Sequence, residues 1–446
     1  MARFKQGLDI QQGLLLPPSL VDWLPEDHLA WFVRDAVQSL DADALLDHYR
    51  VSGKGELPYD PRMMLRVLIY AYSTGTFSSR KIARQLEENV AYRVLAENQM
   101  PKHRTISRFR QVHLDQFSDL FVQVVRLAAE SGLAKVGTLA IDGSKVKANA
   151  SKHKAMSYDR MNKEEKRLKR EIQAITKMAA DVDEAEDVEF GPNCRGDELP
   201  KELARRETRM KTIQEAKERL ERRKAEAARE ADAERKQKAE AEAEGREPPK
   251  ERPSARRHPK GQPKPKDQEN FTDPDSRIMK TSKGFQQSFN AQVAVDGKSQ
   301  LIVATMVTDC AADTEELIPM IELAMANTEQ PVDRVLADAG YRSEANFAAL
   351  ENAGIDGYVP IGRQDKSAPT VKDDSPATKR MQRKLRTKRG RARYRKRKHL
   401  VESPFGWVKN VLGFREFSLR GMRKVRGEWS LVCLALNLRR MRGMGT

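Results

Sequence analysis

"VGTLAIDGSKVKANAS", Val136 to Ser151, is where the chain changes texture. Val136 to Ile141 is a short apolar run with β-branched residues, and it stops at a carboxylate, Asp142, followed by Gly143. Such a run reads as a strand. A carboxylate where a strand ends is a common way for an α/β sheet to build a site. Asp-Gly is also a turn dipeptide, so the same pair fits a plain reversal of the chain. The surrounding sequence has to decide.

Upstream, residues 14 to about 133 read as helices. "DHLAWFVRDAVQSL" carries apolar residues at helical spacing, and "YDPRMMLRVLIYAYSTG" sets Pro61 near a helix start and Gly75 near its end. From Phe77, "FSSRKIARQLEENVAYRVLAENQMPKHRTISRFRQVH" predicts a Ser cap, a short helix, a break at Pro101 and a new cap at Thr105. Two short helices followed by a basic third, with Arg104, Arg108 and Arg110, fit a helix-turn-helix docked on DNA. They fit equally a helical bundle whose arginines are solvated.

Downstream the pattern alternates. "SFNAQVAVDGKSQLIVATMVTD" predicts a hairpin turning around "DGKS". "DTEELIPMIELAMAN" is an amphipathic helix with Asp313 as its cap. "PVDRVLADAGYRS" is a strand ending at Asp338, "EANFAALENAG" a helix stopped by Gly354, "DGYVPIG" a strand, and "EWSLVCLALNLRRMR" a final helix. Strands alternating with helices after a hairpin start predict an α+β or α/β fold, a mixed sheet flanked by helices. The domains expected are a helical one over 1–133 and a sheet domain from 134–150 and 271–446, interrupted by 151–270.

That interruption is different material. Met161, Leu168, Ile172, Ile175 and Ala179, then Met210, Ile213 and Leu220, suit two long helices pairing as a coiled-coil hairpin across "DVEFGPNCRGDELP". The Ala/Glu/Lys-rich end of the second helix reads as solvated, and the Pro-rich basic run to Asn270 as disordered. No catalytic candidate falls here.

Charge narrows the partners. The 446 residues carry a net charge of +17 with 33% charged residues, which favours nucleic acid or an anionic surface. From Lys379 to Lys398, thirteen of twenty residues are Lys or Arg and none is acidic. No apolar run approaches the ~18 residues of a membrane span, and the N-terminus shows no hydrophobic signal region, so an intracellular protein is expected. Cys194, Cys310 and Cys433 are widely spaced and fit neither a disulfide framework nor a zinc site.

One acid, Glu402, follows the basic run inside "VESPFGW". It is either a stray surface residue or part of a site for something polyanionic. Two aspartates at strand ends with a helical glutamate can hold two Mg²⁺ ions roughly 3.5–4 Å apart, the arrangement that serves in-line phosphoryl displacement. Nearby lysines and arginines would hold a phosphodiester backbone. Lys145, Lys147 and Arg342 are lesser phosphate candidates or plain solvent-facing residues. Trp407 and Phe414 read as core packing ahead of base stacking. The seven histidines show no metal-ligand spacing.

"LAIDGSKVKANAS", "ADAGYRSEAN" and "YRKRKHLVESPFGWVK" with "GFREFSLRG" resemble the signatures of bacterial insertion-sequence DDE transposases. "GLLLPPSLVDWLPEDHLAWFV", "YDPRMMLRVLIYAYSTGTFSSRKIARQL" and "HRTISRFRQVH" are similar to the InsH-type N-terminal domain of that group. The likeness covers nearly all the chain outside 180–265, in matching order.

The resemblance implies a ribonuclease-H-like core with Asp142, Asp338 and Glu402 as the catalytic, metal-binding triad. It implies Mg²⁺ or Mn²⁺, two ions, as cofactor. The partners implied are double-stranded DNA, as element ends and target, and a second copy of the chain in the active complex. The setting implied is the bacterial cytoplasm, at the nucleoid, with no membrane. The Tyr–Arg–Glu–Lys signature falls on Tyr394, Arg397 or Lys398, Glu402 and Lys409. The tyrosine gap points to Arg397 and the gap before the glutamate to Lys398, with helical phase favouring Lys398. Glu402 and Lys409, seven apart, would share a helix face. Pro404 either kinks that helix or opens a new one. A nuclease without strand transfer and an inactive DNA-binding remnant are the alternatives.

Overall fold

The computed structural model describes residues 19–49, 57–190, 201–243, 261–281, 284–362 and 375–445. The chain divides into two compact units, Met1–Val124 with Leu431–Thr446, and Val125–Ser430.

The first unit is helical: α1 (Leu29–Ser39), α2 (Pro61–Ser73), α3 (Ser79–Glu88), α4 (Val90–Leu95), α5 (His103–Val112) and the start of α6 (Leu114–Glu130). Its centre is α2, where Met63, Leu65, Val67, Leu68 and Ile69 are all buried. A helix whose apolar residues cover all but the stripe of Arg62 and Arg66 belongs inside a bundle. Asp60 caps it by accepting from the N–H groups of Arg62 and Met63 at 3.0 and 3.3 Å, with Pro61 where no N–H is needed. Gly75 follows at φ +79°, as the stop required. The expected cap at Thr105 is not observed. α5 starts three residues earlier than that cap requires, at His103 after Lys102, because burial of Ile106 closes a first turn from its N–H to the Lys102 carbonyl at 3.1 Å.

The second unit holds β1 (Thr138–Lys147), β2 (Ala155–Ser157), α7 (Tyr158–Phe190), α8 (Lys201–Ala243), β3 (Gln268–Asn270), β4 (Arg277–Thr281), β5 (Gly284–Asp296) and β6 (Ile302–Thr308). α9 (Leu317–Thr328), β7 (Arg334–Leu336), α10 (Glu344–Asn352), β8 (Asp356–Tyr358), α11 (Pro376–Arg386) and α12 (Lys388–Gly406) follow. α13 (Met422–Arg442) starts here and ends in the first unit, where its Ala435 carbonyl accepts from Ser73 Oγ at 3.0 Å.

The result is a mixed α+β architecture. Six strands form one sheet in the order β4-β5-β1-β7-β8, with β6 on the β5 edge away from β1. β1 is antiparallel to β5 and parallel to β7, which is parallel to β8. The hairpin forms as expected, with Asp296 Oδ2 accepting from the N–H and hydroxyl of Ser299 at 2.8 and 2.6 Å inside "DGKS".

One sequence expectation fails at β1. Asp142 lies in mid-strand, not at a strand end, because β5 extends the ladder past it from Gly143↔Gln292 to Lys147↔Ser288. The Asp-Gly pair makes no turn. Gly143 is needed for another reason: a Cβ there would sit 2.3 Å from Gln292 Nε2 and 2.8 Å from Asp313 Oδ1.

In the insertion, α7 and α8 pack antiparallel through Met161, Leu168, Ile213 and Ala216, with Met156 from β2. Ion pairs run alongside, Glu164 to Arg209 at 3.2 Å, Glu165 to Lys217 at 3.1 Å and Glu171 to Arg206 at 3.0 Å. Ile172 and Ile175 are only half-buried, Ala179's side chain falls outside the described residues, and so does the turn at 191–200. The Pro-rich run was expected to be disordered. Residues 244–260 lie outside the described ones, but Gln268–Asn270 pairs with β2 as β3. Charge orders it: the buried Glu269 carboxylate receives Arg219 and Arg223 of α8 at 2.8 and 3.0 Å.

Phe414 is core, packed with Phe417 and Trp429. Cys310 and Cys433 form no disulfide among the described residues, and Cys194 lies outside them. Among the described residues no helix is long and apolar enough to cross a membrane.

Candidate active site

Strand register brings the first two acids together. Ala140 of β1 and Leu336 of β7 are partners in a parallel pair, and Asp142 and Asp338 each lie two residues beyond them. Side chains repeat every second residue along a strand, and neighbouring strands are about 4.8 Å apart. Both carboxylates therefore leave the sheet at one level and on one face. Asp338 is fixed further by accepting the Gly340 N–H at 2.7 Å as the cap of the turn Ala339–Tyr341.

A single guanidinium joins them. Arg397 of α12 places one nitrogen 3.1 Å from Asp142 Oδ1 and 3.7 Å from Asp338 Oδ2. Its Nε is buried with no hydrogen-bond partner. The Tyr394 hydroxyl, one turn earlier on α12, accepts from Arg397, and burial raises its phenol above the usual range. Burial also pushes the Asp142 carboxyl up to about 6; Arg397 opposes this, and the neighbouring Asp338 adds to it. Two carboxylates thus share this one guanidinium.

A third carboxylate stands beside these two, and it is not the expected one. Asp313 occupies the cap position before α9 yet makes no side-chain cap bond. Its Oδ1 instead accepts from Asn290 Nδ2 and Gln292 Nε2, both at 2.7 Å, and from Lys145 Nζ at 3.0 Å. Its Oδ2 turns toward Asp338: a Cβ on Gly340 would lie 3.1 Å from Asp313 Oδ2 and 2.9 Å from Asp338 Oδ1. The buried Tyr341 hydroxyl donates to Gln292 Oε1, tying the Asp338 turn to β5. The sequence did carry a signal for this arm. Asn290 and Gln292 are polar residues in the otherwise apolar stretch Phe289 to Val295, and buried amides need partners.

Lys409 arrives from the other side. Its ammonium donates to Ser144 Oγ, two residues along β1 from Asp142, and burial lowers its pKa while Asp142 pulls the other way. It lies in a π-helical turn, Trp407–Val411, that closes α12 with the Leu412 N–H on the Trp407 carbonyl at 2.8 Å. No new helix opens at Pro404: α12 continues through it and widens one turn later.

Glu402 is not in this cluster. It is exposed and makes no hydrogen bond or ion pair among the described residues. The phase of α12 explains why. Seating Arg397, Leu400 and Pro404 against the sheet leaves Glu402 roughly 140° around the helix from Arg397. The π-turn also removes the shared face expected for Glu402 and Lys409. Accordingly, no three His, Cys, Asp or Glu side chains among the described residues are grouped tightly enough to hold a metal. Asp142 and Asp338 still suit a hard cation, offering carboxylate oxygens from adjacent strands.

The remaining candidates divide. Lys398 is exposed. Lys147 pairs with Glu416 at 2.8 Å, and Arg342 donates to the Ile361 carbonyl. In the first unit, Arg104 and Arg108 lie exposed one turn apart on α5. Arg110 turns inward, 5% exposed, and donates to the Tyr72 hydroxyl at 3.0 Å and the Phe77 carbonyl at 2.8 Å.

Two family models match the chain. Residues 18–112 match one described as a transposase domain (DUF772), and residues 254–438 match a transposase DDE domain. The second match contains Asp338 and Glu402 and begins after the strand that carries Asp142. No curated protein and no solved structure matches the chain.

Proposed function

This chain belongs to the insertion-sequence DDE transposases, and from that premise we propose that it cuts DNA at element ends and joins the freed 3′-hydroxyls to target DNA. The observation that carries the reading is the convergence of Asp142 and Asp338 under Arg397 from adjacent parallel strands. An antiparallel pair on one side of β1 and two parallel strands on the other supports a ribonuclease-H-like core.

Asp142 and Asp338 would hold divalent ions, Mg²⁺ or Mn²⁺, with Glu402 completing the set. When bound, such ions supply Lewis acidity at the phosphate and a water or hydroxyl of lowered pKa. The chain's own residues account for the rest. Arg397, displaced from the aspartates, is positioned to pair with a phosphate oxygen, and Tyr394 sets its orientation. Lys409 holds a second phosphate beside Ser144. Asp313, through Gln292 and Tyr341, keeps the Asp338 turn in place.

Glu402 reaches the site by a change of helical phase. A π-turn absorbs one extra residue, and such turns occur often at functional sites. Moving the wide turn from Trp407–Val411 to a position before Glu402 rotates this residue by about 100°, into the direction Val401 now takes. The two signature spacings, which point to Arg397 and Lys398 respectively, disagree by this one residue.

DNA is held by the basic segment 379–398 and by Arg104 and Arg108 on the exposed side of α5. The paired α7 and α8 extend as a coiled coil that supports a second copy of the chain. The testing assay presents labelled element-end DNA, a target plasmid and Mg²⁺. Joined products support transposition, and cut ends that never join identify a nuclease. Binding with neither product identifies a DNA-binding remnant.

A further inference from the structure

The second unit contains a cleft that neither the acids nor the signature residues use. It encloses about 810 Å³ and opens at the start of β1, beside Gly137 and Thr138. Its walls are the β5–β6 turn, the start of β7 and one face of α12. Five Lys and Arg side chains line it, Lys135, Lys298, Arg334, Arg393 and Lys396, against a single acid, Asp333.

Close backbone approach creates this convergence. The Gly297 N–H donates to the Thr138 carbonyl at 2.7 Å, and a Cβ at Gly297 would lie 2.8 Å from that oxygen. The hairpin turn can therefore close on β1 and carry Lys298 to the rim. From α12, Arg393 and Lys396 are three apart and share a face.

The charges are of two kinds. Arg334 and Arg393 reach Asp356 at 3.1 and 2.8 Å, and Lys384 reaches it at 2.6 Å. Burial opposes ionisation there, but Lys384 and Arg334 hold Asp356 below the usual carboxylate range. Lys135, Lys298 and Lys396 are exposed and make no ion pair among the described residues. Three free ammonium groups over two partly neutralised guanidinium groups outweigh Asp333 and form an anion site.

We infer that this cleft seats backbone phosphates of duplex DNA. No Phe, Tyr or Trp lines it, His399 being its one ring, so it offers no platform for successive bases and grips DNA without reading sequence. Thr138 and Asp142 are four residues apart on one strand, roughly 13 Å. At 3.4 Å of axial rise per nucleotide of one strand, a phosphate in the cleft falls about four base pairs from the one at the acids. α12 thus serves two positions on the same duplex, Arg397 at the acids and Lys396 at the cleft. The inference takes its ligand from the transposase reading.

The test is salt-dependent binding of a 30-base-pair duplex of arbitrary sequence, without metal, to the full chain. The wild type is compared with Lys135→Gln/Lys298→Gln/Lys396→Gln and, as folding control, with Lys298→Glu alone. Log affinity against log salt is expected to lose about 0.9 of slope per contact removed, close to 3 for the triple variant. An unchanged slope in a folded triple variant overturns the cleft and leaves the transposase reading standing. Absence of duplex binding by the wild type overturns both.

Discussion

Arg110 in the first unit and Arg397 in the second are both withdrawn from solvent, but on opposite terms. Arg110 meets a hydroxyl and a carbonyl, neutral acceptors that its helical neighbours hold in place. Arg397 meets two carboxylates that a third faces. A buried charge held against neutral groups serves the fold. Like charges crowded beside one guanidinium are kept for chemistry, because they cost stability unless something else binds there.

The largest effect expected from this contrast is on catalysis. Asp142→Asn or Asp338→Asn should reduce cleavage of end DNA by more than about 10³-fold, roughly 4 kcal/mol of barrier. Asp142→Asn should also raise the melting temperature in metal-free buffer, by an amount that depends on pH. The folded carboxyl titrates at about 6, above its ordinary 3.8, so its favourable contribution is complete below 3.8 and is lost as pH rises through 6. The gain from Asn should therefore grow from pH 4 to pH 7; a flat profile breaks the comparison.

Glu402→Gln should also lose cleavage, by at least about 10²-fold. Its metal-free melting temperature and duplex affinity should be unchanged, since Glu402 is exposed and has no partner in the described residues. Equal loss of binding and cleavage would sink the ligand role.

The arginines of α5 sharpen the contrast in the other direction. Arg110→Ala should destabilise the first unit by about 3 kcal/mol or more, because buried acceptors lose their donor. Arg104→Ala should change stability by less than about 0.5 kcal/mol while lowering the salt slope of DNA binding by about 0.9. Chemical denaturation and fluorescence anisotropy measure the two.

The smallest effect is a pH response of opposite sign. Buried His113 is held down to about 4 by burial, with the His48 ring adding to it. Its contribution is present above pH 6.5 and is lost as pH falls toward 4. His113→Gln should flatten the acid side of the first unit's melting profile, and an unaltered acid limb would remove His113 from the account.

The sequence by itself determined the order and type of most elements, because hydrophobic period and turn residues act locally. Pro61, Gly75, Gly354 and the "DGKS" turn stand where that chemistry requires. It also singled out Asp142 and Asp338, through the resemblance of their motifs, but favoured Lys398 over its rival Arg397. Where β1 ends was decided by tertiary structure, since only the length of β5 shows that the ladder passes Asp142. Pairing likewise decided β3, whose ordering depends on two arginines some fifty residues away on α8. Asp313 read as a cap because its cap position is local, whereas its partners lie on β1 and β5. Glu402 is the clearest division between the two. Its identity is written in "VESPFGW", but the direction it takes is set by which face of α12 the sheet buries and where the π-turn falls. Neither is a property of any short stretch of chain.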